Sequence, residues 1–267
     1  LDRSSTLVAL GGGVVGDISG FAAATYMRGI NFVQVPTTLL SQADSSVGGK
    51  TGVDFDGHKN AVGAFYQPKL VFINVNTIKS LPKREVSAGL AEVIKHGLIM
   101  DEEYCDYLNY NAQKILAFDE NVLQYLAKKN VSIKGQVVEQ DEKENDLRAI
   151  LNLGHTIGHA IETVQNFTLL HGECVAIGIV GAFKLSYYMN ILPETVLEQV
   201  KSILLKYELP VSLPGMDVEK VYKQIYHDKK VKDSQLKFVL PKRIGEVFQC
   251  TIDDTALLKR VLNDLAK

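Results

Sequence analysis

An α/β domain with a parallel sheet, followed by a mostly α-helical domain, is the fold class this chain predicts. Three observations predict it. Short apolar strand patterns enclose a helical one near the N-terminus, in the order strand, helix, strand, loop, strand. From about Leu81 onward the apolar residues recur with helical period. The only later strand-like runs, "QLKFVLP" and "EVFQCTI", lie close together as an expected hairpin. The domains are accordingly expected at 1–81 and 82–267, with Pro82 in "KSLPKRE" able to open a helix.

Taken in order, "TLVAL" reads as a buried strand, "GGGVVGD" as the turn after it and "ISGFAAATYM" as a helix. "NFVQV" is a second strand, stopped by Pro36, and "LVFINV" after Pro68 is a third. A parallel sheet needs cover on both faces, and three strands make it thin. With a strand starting a few residues after Leu1, the expectation is a sheet that lacks strands on its N-terminal side. Helices then follow at "REVSAGLAEVIKHGLI", "ENVLQYLAKKNVSIKGQVVEQDE", "NLGHTIGHAIETVQ" and "ECVAIGIVGAFKLSYYM", and later at "PETVLEQVKSILLKY", "DVEKVYKQIYHDKK" and "DTALLKRVLNDLA".

The net charge of −2 leaves no polybasic field, so nucleic acid is not an expected partner and any basic site must be local. Three scattered cysteines without a Cys-x-x-Cys spacing point to a reducing, cytoplasmic setting. No signal peptide is evident, and "VAIGIVGAF", interrupted by Gly178 and Gly181, reads as a buried helix rather than a membrane span.

"DSSVGGKTGVD" contains Gly-Gly-Lys-Thr, but the triphosphate-binding loop needs a glycine where Asp44 stands and a helix directly after the lysine. Neither condition holds. Lys50, Lys59 and Asn60 are still held in a Gly-rich loop where an anion can meet them. Gly11-Gly12-Gly13-Val14-Val15-Gly16 satisfies G-x-G-x-x-G between strand and helix, the setting in which backbone N–H groups at a helix N-terminus receive a phosphate. The bland alternative is a turn that merely packs helix on strand. The ribose-binding acid expected about 20 residues on is absent, with Pro36-Thr37-Thr38 in its place.

His155 and His159 share one helical face, the spacing at which two imidazoles can meet one ion, although two ordinary polar histidines would look the same. His171 opens the next helix and could supply another nitrogen. Glu92 and Lys95 sit on one face of an apolar helix, where a buried carboxylate and ammonium both need partners. Two histidines and a glutamate with open positions is the stoichiometry of a catalytic metal. Arg28, Lys50, Lys59, Lys95, Lys134, Arg148 and Lys229-Lys230 are candidate anion-handling groups, each with solvated surface charge as its alternative. His58, His96 and His227 are expected to be local polar or core residues.

Together, "GGGVVGDISGFAAATYMRGINFVQVPTTLLSQADSSVGGKTGV", "KNAVGAFYQPK", "AGLAEVIKHGLI", "LNLGHTIGHAIE" and "LLHGECVAIG" resemble the 3-dehydroquinate synthases of the sugar-phosphate cyclase superfamily, in order and over essentially the whole chain. The resemblance implies an NAD-binding α/β domain, a helical metal- and substrate-binding domain, an active site in the cleft between them, and a cytoplasmic homodimer. It implies NAD and a divalent metal, usually zinc with cobalt possible, and the conversion of 3-deoxy-D-arabino-heptulosonate 7-phosphate, a phosphorylated sugar acid, to 3-dehydroquinate and phosphate. By resemblance Glu92, His155 and His171 bind the metal, and His159, Lys50, Asn60 and Lys229 hold the phosphonate end. Arg28 reaches the phosphate of the neighbouring subunit, and Lys134, Arg148 and Asn152 fix the carboxylate. Glu144 and Lys95 complete the polar ring, Asp44 contacts substrate or nicotinamide ribose, and Gly12, Gly13, Asp17, Thr37, Thr38 and Lys59 line NAD. The family's further N-terminal strands are not in this sequence, so weakened NAD binding is expected. The competing readings are a sister cyclase, a metal-dependent polyol dehydrogenase of similar architecture, and a non-catalytic binding module.

Overall fold

The computed structural model describes residues 1–56, 58–144, 146–227 and 237–267, with only the backbone described for His58, Lys59 and His227. The chain forms two compact units, each assembled from two segments: Leu1–Gly89 with Lys114–Arg148, and Leu90–Gln113 with Ala149–Lys267.

In the first unit, strand β1 (Thr6–Gly11) runs into helix α1 (Gly13–Thr25) through Gly12, and β2 (Asn31–Pro36) pairs parallel to β1 from Thr6↔Asn31 to Gly11↔Pro36. This is the expected strand–turn–helix–strand unit. Ala9, Ala23, Ile30 and Phe32 form its buried core. Small side chains on α1 let the helix lie close to the sheet, and Phe32 fills the space between.

Three features of residues 36–80 depart from the sequence expectations. The Gly-rich region around Lys50 and Asn60 is not a loop: β3 (Lys50–Phe55) and β4 (His58–Phe65) form an antiparallel pair. Gly52 and Gly63 stand opposite one another, and a Cβ on Gly52 would lie 2.9 Å from the Val62 carbonyl oxygen. These glycines permit close backbone approach, which is why a strand can look like a loop. The third parallel strand is far shorter than "LVFINV". Only β5 (Leu70–Val71) pairs with β2, after which the Asn74 side chain accepts from Asn76 N–H at 3.0 Å and turns the chain into a 3₁₀ segment at Val75–Ser80. The Ala/Leu/Ser-rich segment after Pro36 closes as a π-helical turn, Ser41–Ser45.

The helices are α2 (Lys83–Met100), α3 (Glu102–Leu116), α4 (Glu120–Gln140), α5 (His155–Val164), α6 (His171–Tyr188), α7 (Glu194–Lys206), α8 (Val218–His227) and α9 (Thr255–Leu265), with β6 (Lys237–Arg243) and β7 (Glu246–Thr251) as the expected hairpin. Helix α3 is not among the helices the sequence predicts. Its polar residues, "EEYCDYLNYNAQ", mask an apolar face of Tyr104, Cys105, Leu108, Ala112 and Ile115, all buried. Helix α4 belongs to the first unit, where it packs on the turns at 41–45 and 75–80.

The second unit is built around α6. Its residues Cys174–Phe183 are all buried, so "VAIGIVGAF" is a core helix. Glycines set how closely α5 approaches it. Gly154, at φ 79, caps α5, and a Cβ there would meet Val175 O at 2.9 Å; a Cβ on Gly158 would meet Cys174 O at the same distance. At Gly178 a Cβ would collide with the Gly154 carbonyl oxygen. Both helices therefore start side by side, with His155 first in one and His171 first in the other. No helix among the described residues is long and apolar enough to cross a membrane.

Candidate active site

In the second unit, α2, α5 and α6 bring Glu92, Lys95, His155, His159 and His171 together. Glu92 and Lys95 are each 1% exposed and pair with one another through Glu92 Oε2. The other carboxylate oxygen, Oε1, faces His155 Nε2 at 3.5 Å and His171 Nε2 at 3.4 Å. Each imidazole is held from behind: His155 Nδ1 lies 3.1 Å from the Leu153 carbonyl, and His171 Nδ1 lies 3.3 Å from Glu162 Oε2. A carbonyl only accepts, so the His155 proton sits on Nδ1 and leaves the Nε2 lone pair directed at Glu92.

The protonation balance reports what the site demands. Burial and the Lys95 ammonium push the His155 imidazole down to about 3, leaving it neutral. For His171, burial favours the neutral ring, but the Glu162 and Glu92 carboxylates outweigh it and raise the group to about 9. A proton thus collects where two carboxylates surround an imidazole. One carboxylate oxygen and two imidazole nitrogens converging on a point that attracts positive charge fit a divalent cation of the zinc class. His159 stands beside them, exposed, its ring centroid 5.1 Å from that of His155 and 5.6 Å from that of His171. One nitrogen from each of the three imidazoles lies within 4.8 Å of the others, so an all-histidine set is also geometrically open. We favour the set with Glu92, because its Oε1 is the atom on which two Nε2 atoms converge. Asn152 lines an adjoining cleft of about 380 Å³ with His155, Thr156, His159, Lys237 and Gln249.

The first unit carries a separate group of predicted residues. Asp17, Lys50, Asn60 and Phe65 line a cleft of about 300 Å³. Lys50 pairs with Glu144, and Lys134 Nζ reaches the Asp44 carboxylate at 3.0 Å and its carbonyl oxygen at 2.6 Å. Asn60 (φ 52) and Glu144 (φ 57) are both held in the left-handed region, which costs non-glycine residues energy and clusters at functional sites. Arg148 is 1% exposed, donating to Gly48 O at 3.0 Å and to Glu142 O. Both of its terminal nitrogens are thereby engaged with backbone, a role the sequence does not suggest. Burial lowers its guanidinium from the usual range, and Glu144 opposes that shift.

Gly12 is the N-cap of α1 and brings no capping side chain. The first-turn N–H groups are left for an external acceptor. A Cβ on Gly12 would lie 3.0 Å from Thr38 Cγ2, and one on Gly13 would lie 3.1 Å from Ser45 Oγ, so both glycines let this turn pack closely against Thr38 and Ser45. Thr37 N–H donates to Gly11 O at 2.9 Å, joining the two turns. Burial pushes the Asp17 carboxyl up to about 6, with Lys134 opposing. Arg28 is exposed, at φ 67. Lys229 and the Lys59 side chain lie outside the described residues. Glu162, Thr156, Lys237 and Gln249 are absent from the sequence-predicted set. The available signal for Glu162 is its place two turns after His155 on one helical face.

The family model for the N-terminal part of 3-dehydroquinate synthase matches residues 1–88, and that for its C-terminal part matches residues 89–231. The chain belongs to the 3-dehydroquinate synthase family. It is 80% identical over 266 residues to a 3-dehydroquinate synthase of Ruminiclostridium cellulolyticum, covering 100% of this chain and 74% of that protein. Among solved structures it is similar to 2-epi-5-epi-valiolone synthase from Streptomyces hygroscopicus with NAD+ and Zn2+ bound, at TM-score 0.90 and 28% identity, covering 97% of this chain and 72% of that one. It is also similar to 2-deoxy-scyllo-inosose synthase complexed with carbaglucose-6-phosphate, NAD+ and Co2+, at TM-score 0.89 and 29% identity, covering 99% of this chain and 75% of that one. These likenesses to cyclases agree with the sugar-phosphate cyclase fold expected for this 3-dehydroquinate synthase family member.

Proposed function

We propose that this chain converts 3-deoxy-D-arabino-heptulosonate 7-phosphate to 3-dehydroquinate and inorganic phosphate, a phosphate-eliminating lyase reaction of the shikimate pathway that leads to aromatic amino acids. The observation that carries the proposal is the convergence of Glu92 Oε1 with Nε2 of His155 and His171, in a chain so similar to a named synthase. Those three residues would hold the divalent ion, zinc or cobalt, and the Gly12–Gly13 turn with Asp17, Thr37, Thr38, Asp44 and Lys59 would hold NAD. When bound, the ion supplies positive charge beside the hydroxyl to be oxidised, and NAD supplies a hydride acceptor that is restored before product leaves.

The remaining work falls to side chains. In this reading Lys50, Asn60, His159 and Lys229 bind the phosphate end and hold the leaving group in line, so elimination depends on positioning more than on a strong protein base. Glu144 is the acid that the anionic group would displace from Lys50, and its left-handed backbone sets it in reach. Lys95 balances the Glu92 charge in a buried place and keeps an ammonium proton beside the substrate hydroxyl. Asn152 and Lys134 are assigned to the substrate's carboxylate end. Arg148 can join them bidentately only by exchanging its bonds to the Gly48 and Glu142 carbonyls. A homodimer in which Arg28 serves the neighbouring subunit is part of the proposal.

The test measures phosphate release and NADH together, with heptulosonate phosphate, NAD+ and added metal. Phosphate without NADH accumulation is expected. Net NADH without phosphate would make the chain a polyol dehydrogenase, and neither product would make it a binding module. Turnover of a carboxylate-free sugar phosphate in preference to the heptulosonate would move it to a sister cyclase.

A further inference from the structure

We propose that Glu162 is a positioning residue for the metal centre: its carboxylate fixes the proton of His171 on Nδ1 and makes His171 Nε2 a stronger donor than His155 Nε2. The inference rests on the proposed reading in which Glu92, His155 and His171 hold a divalent cation. It starts from an asymmetry. The two imidazoles present the same nitrogen to the same oxygen, at 3.5 and 3.4 Å, yet a neutral backbone carbonyl backs His155 and a carboxylate backs His171. An ionised carboxylate can only accept, so a hydrogen bond at His171 Nδ1 requires the proton to be there. Negative charge behind the ring pushes electron density toward the far nitrogen, the arrangement that strengthens metal-ligating histidines.

Burial makes this more than a surface contact. Glu162 is 5% exposed, on the face of α5 that carries His155 two turns earlier. A carboxylate is costly in such a place unless charge and hydrogen bonds compensate. The carboxylate is stabilised by the imidazole it orients, with little water to screen the pair.

The test uses the full chain, stripped of metal and titrated with Co2+ against a competing chelator, in wild type, Glu162→Gln and Glu162→Ala. Glutamine keeps the volume and an acceptor but loses the charge, so it guards against simple misfolding, checked by circular dichroism. Glu162→Gln should weaken Co2+ binding about 10–100-fold and alter the cobalt d–d spectrum. In metal-free protein at alkaline pH, where the His171 ring is neutral, nitrogen-15 spectra of the histidines should show its single proton on Nδ1 in wild type and the loss of that preference in Glu162→Ala, with His155 unchanged. Co2+ affinity in Glu162→Gln within about twofold of wild type would overturn the proposal, as would an Nδ1 proton that persists in Glu162→Ala. If wild type binds no Co2+, the ligand assignment of the proposed function fails, while the nitrogen-15 comparison still decides whether Glu162 places the proton.

Discussion

Replacing Asp17 by asparagine should stabilise the protein at neutral pH and leave it unchanged in acid. Asp17 lies on α1 with its carboxyl raised from 3.8 to about 6, burial being the main cause, Lys134 opposing it and Asp44 and Asp54 adding to it. The sign follows from proton counting. Between these two values the folded state binds more protons than the unfolded one, so stability falls as pH rises. The favourable contribution of the neutral acid is complete below pH 3.8 and is lost as pH passes through about 6. A shift of about two units is worth about 3 kcal/mol at most. Asp17 is only partly buried, and screening by water reduces the expected figure to about 1–2 kcal/mol. The substituted amide would carry no charge, so the stability gap between Asp17→Asn and wild type should open from near zero at about pH 4 to that value by about pH 7.5. Urea unfolding followed by circular dichroism measures it, since the chain has no tryptophan to report by fluorescence. A gap that does not change with pH, or an Asp17 carboxyl that titrates near the ordinary value of about 4 by carbon-13 NMR, would refute the reasoning.

Three further outcomes are expected. Glu92→Gln keeps the shape of the side chain but removes the charge facing Lys95 and both histidines; bound metal by elemental analysis should fall from near stoichiometric to traces, and full retention would point to the three-histidine set. Gly178→Ala should cost about 3 kcal/mol or more, because the new methyl collides with Gly154 backbone; a variant with wild-type melting and metal content would show that α5 and α6 are not set by that contact. Arg148→Ala strands the buried Gly48 carbonyl, while that of the exposed Glu142 can turn to water, and should cost about 1–3 kcal/mol in urea unfolding; a loss below about 0.5 kcal/mol would mean those bonds carry no weight.

The parts of the molecule that are legible in the sequence are those where local pattern and tertiary fold agree. Strand β1, the glycine turn and α1 follow one another with unambiguous periodicity, and α2, α5 and α6 carry their site residues at helical spacing. What the sequence hides, it hides for identifiable physical reasons. Gly52 and Gly63 look like loop residues locally, but their missing side chains serve an approach between two strands, a requirement only the partner reveals. The apolar run after Pro68 is long enough for a strand, yet Asn74 diverts it after two paired residues. Lys134 and Arg148 read locally as cations awaiting an anion, and the contacts they make with Asp44 and Gly48 are distant in sequence, so no local pattern supplies them. Glu162 has only its helical spacing from His155 as a signal, and a glutamate on a helix usually faces water.

The close seating of α5 on α6 has a consequence for how the centre responds to different ions. In the proposed centre the two imidazole donors begin neighbouring helices whose backbones approach closely at glycines, so their Cα atoms cannot separate without prying the pair apart. Under that assignment, adjustment to a larger or smaller ion falls to side-chain rotation, with the longer side chain of Glu92 on α2 having the most freedom. Emptying the centre should accordingly leave the scaffold intact, and exchange of one ion for another should proceed by swinging a carboxylate rather than by loosening the fold.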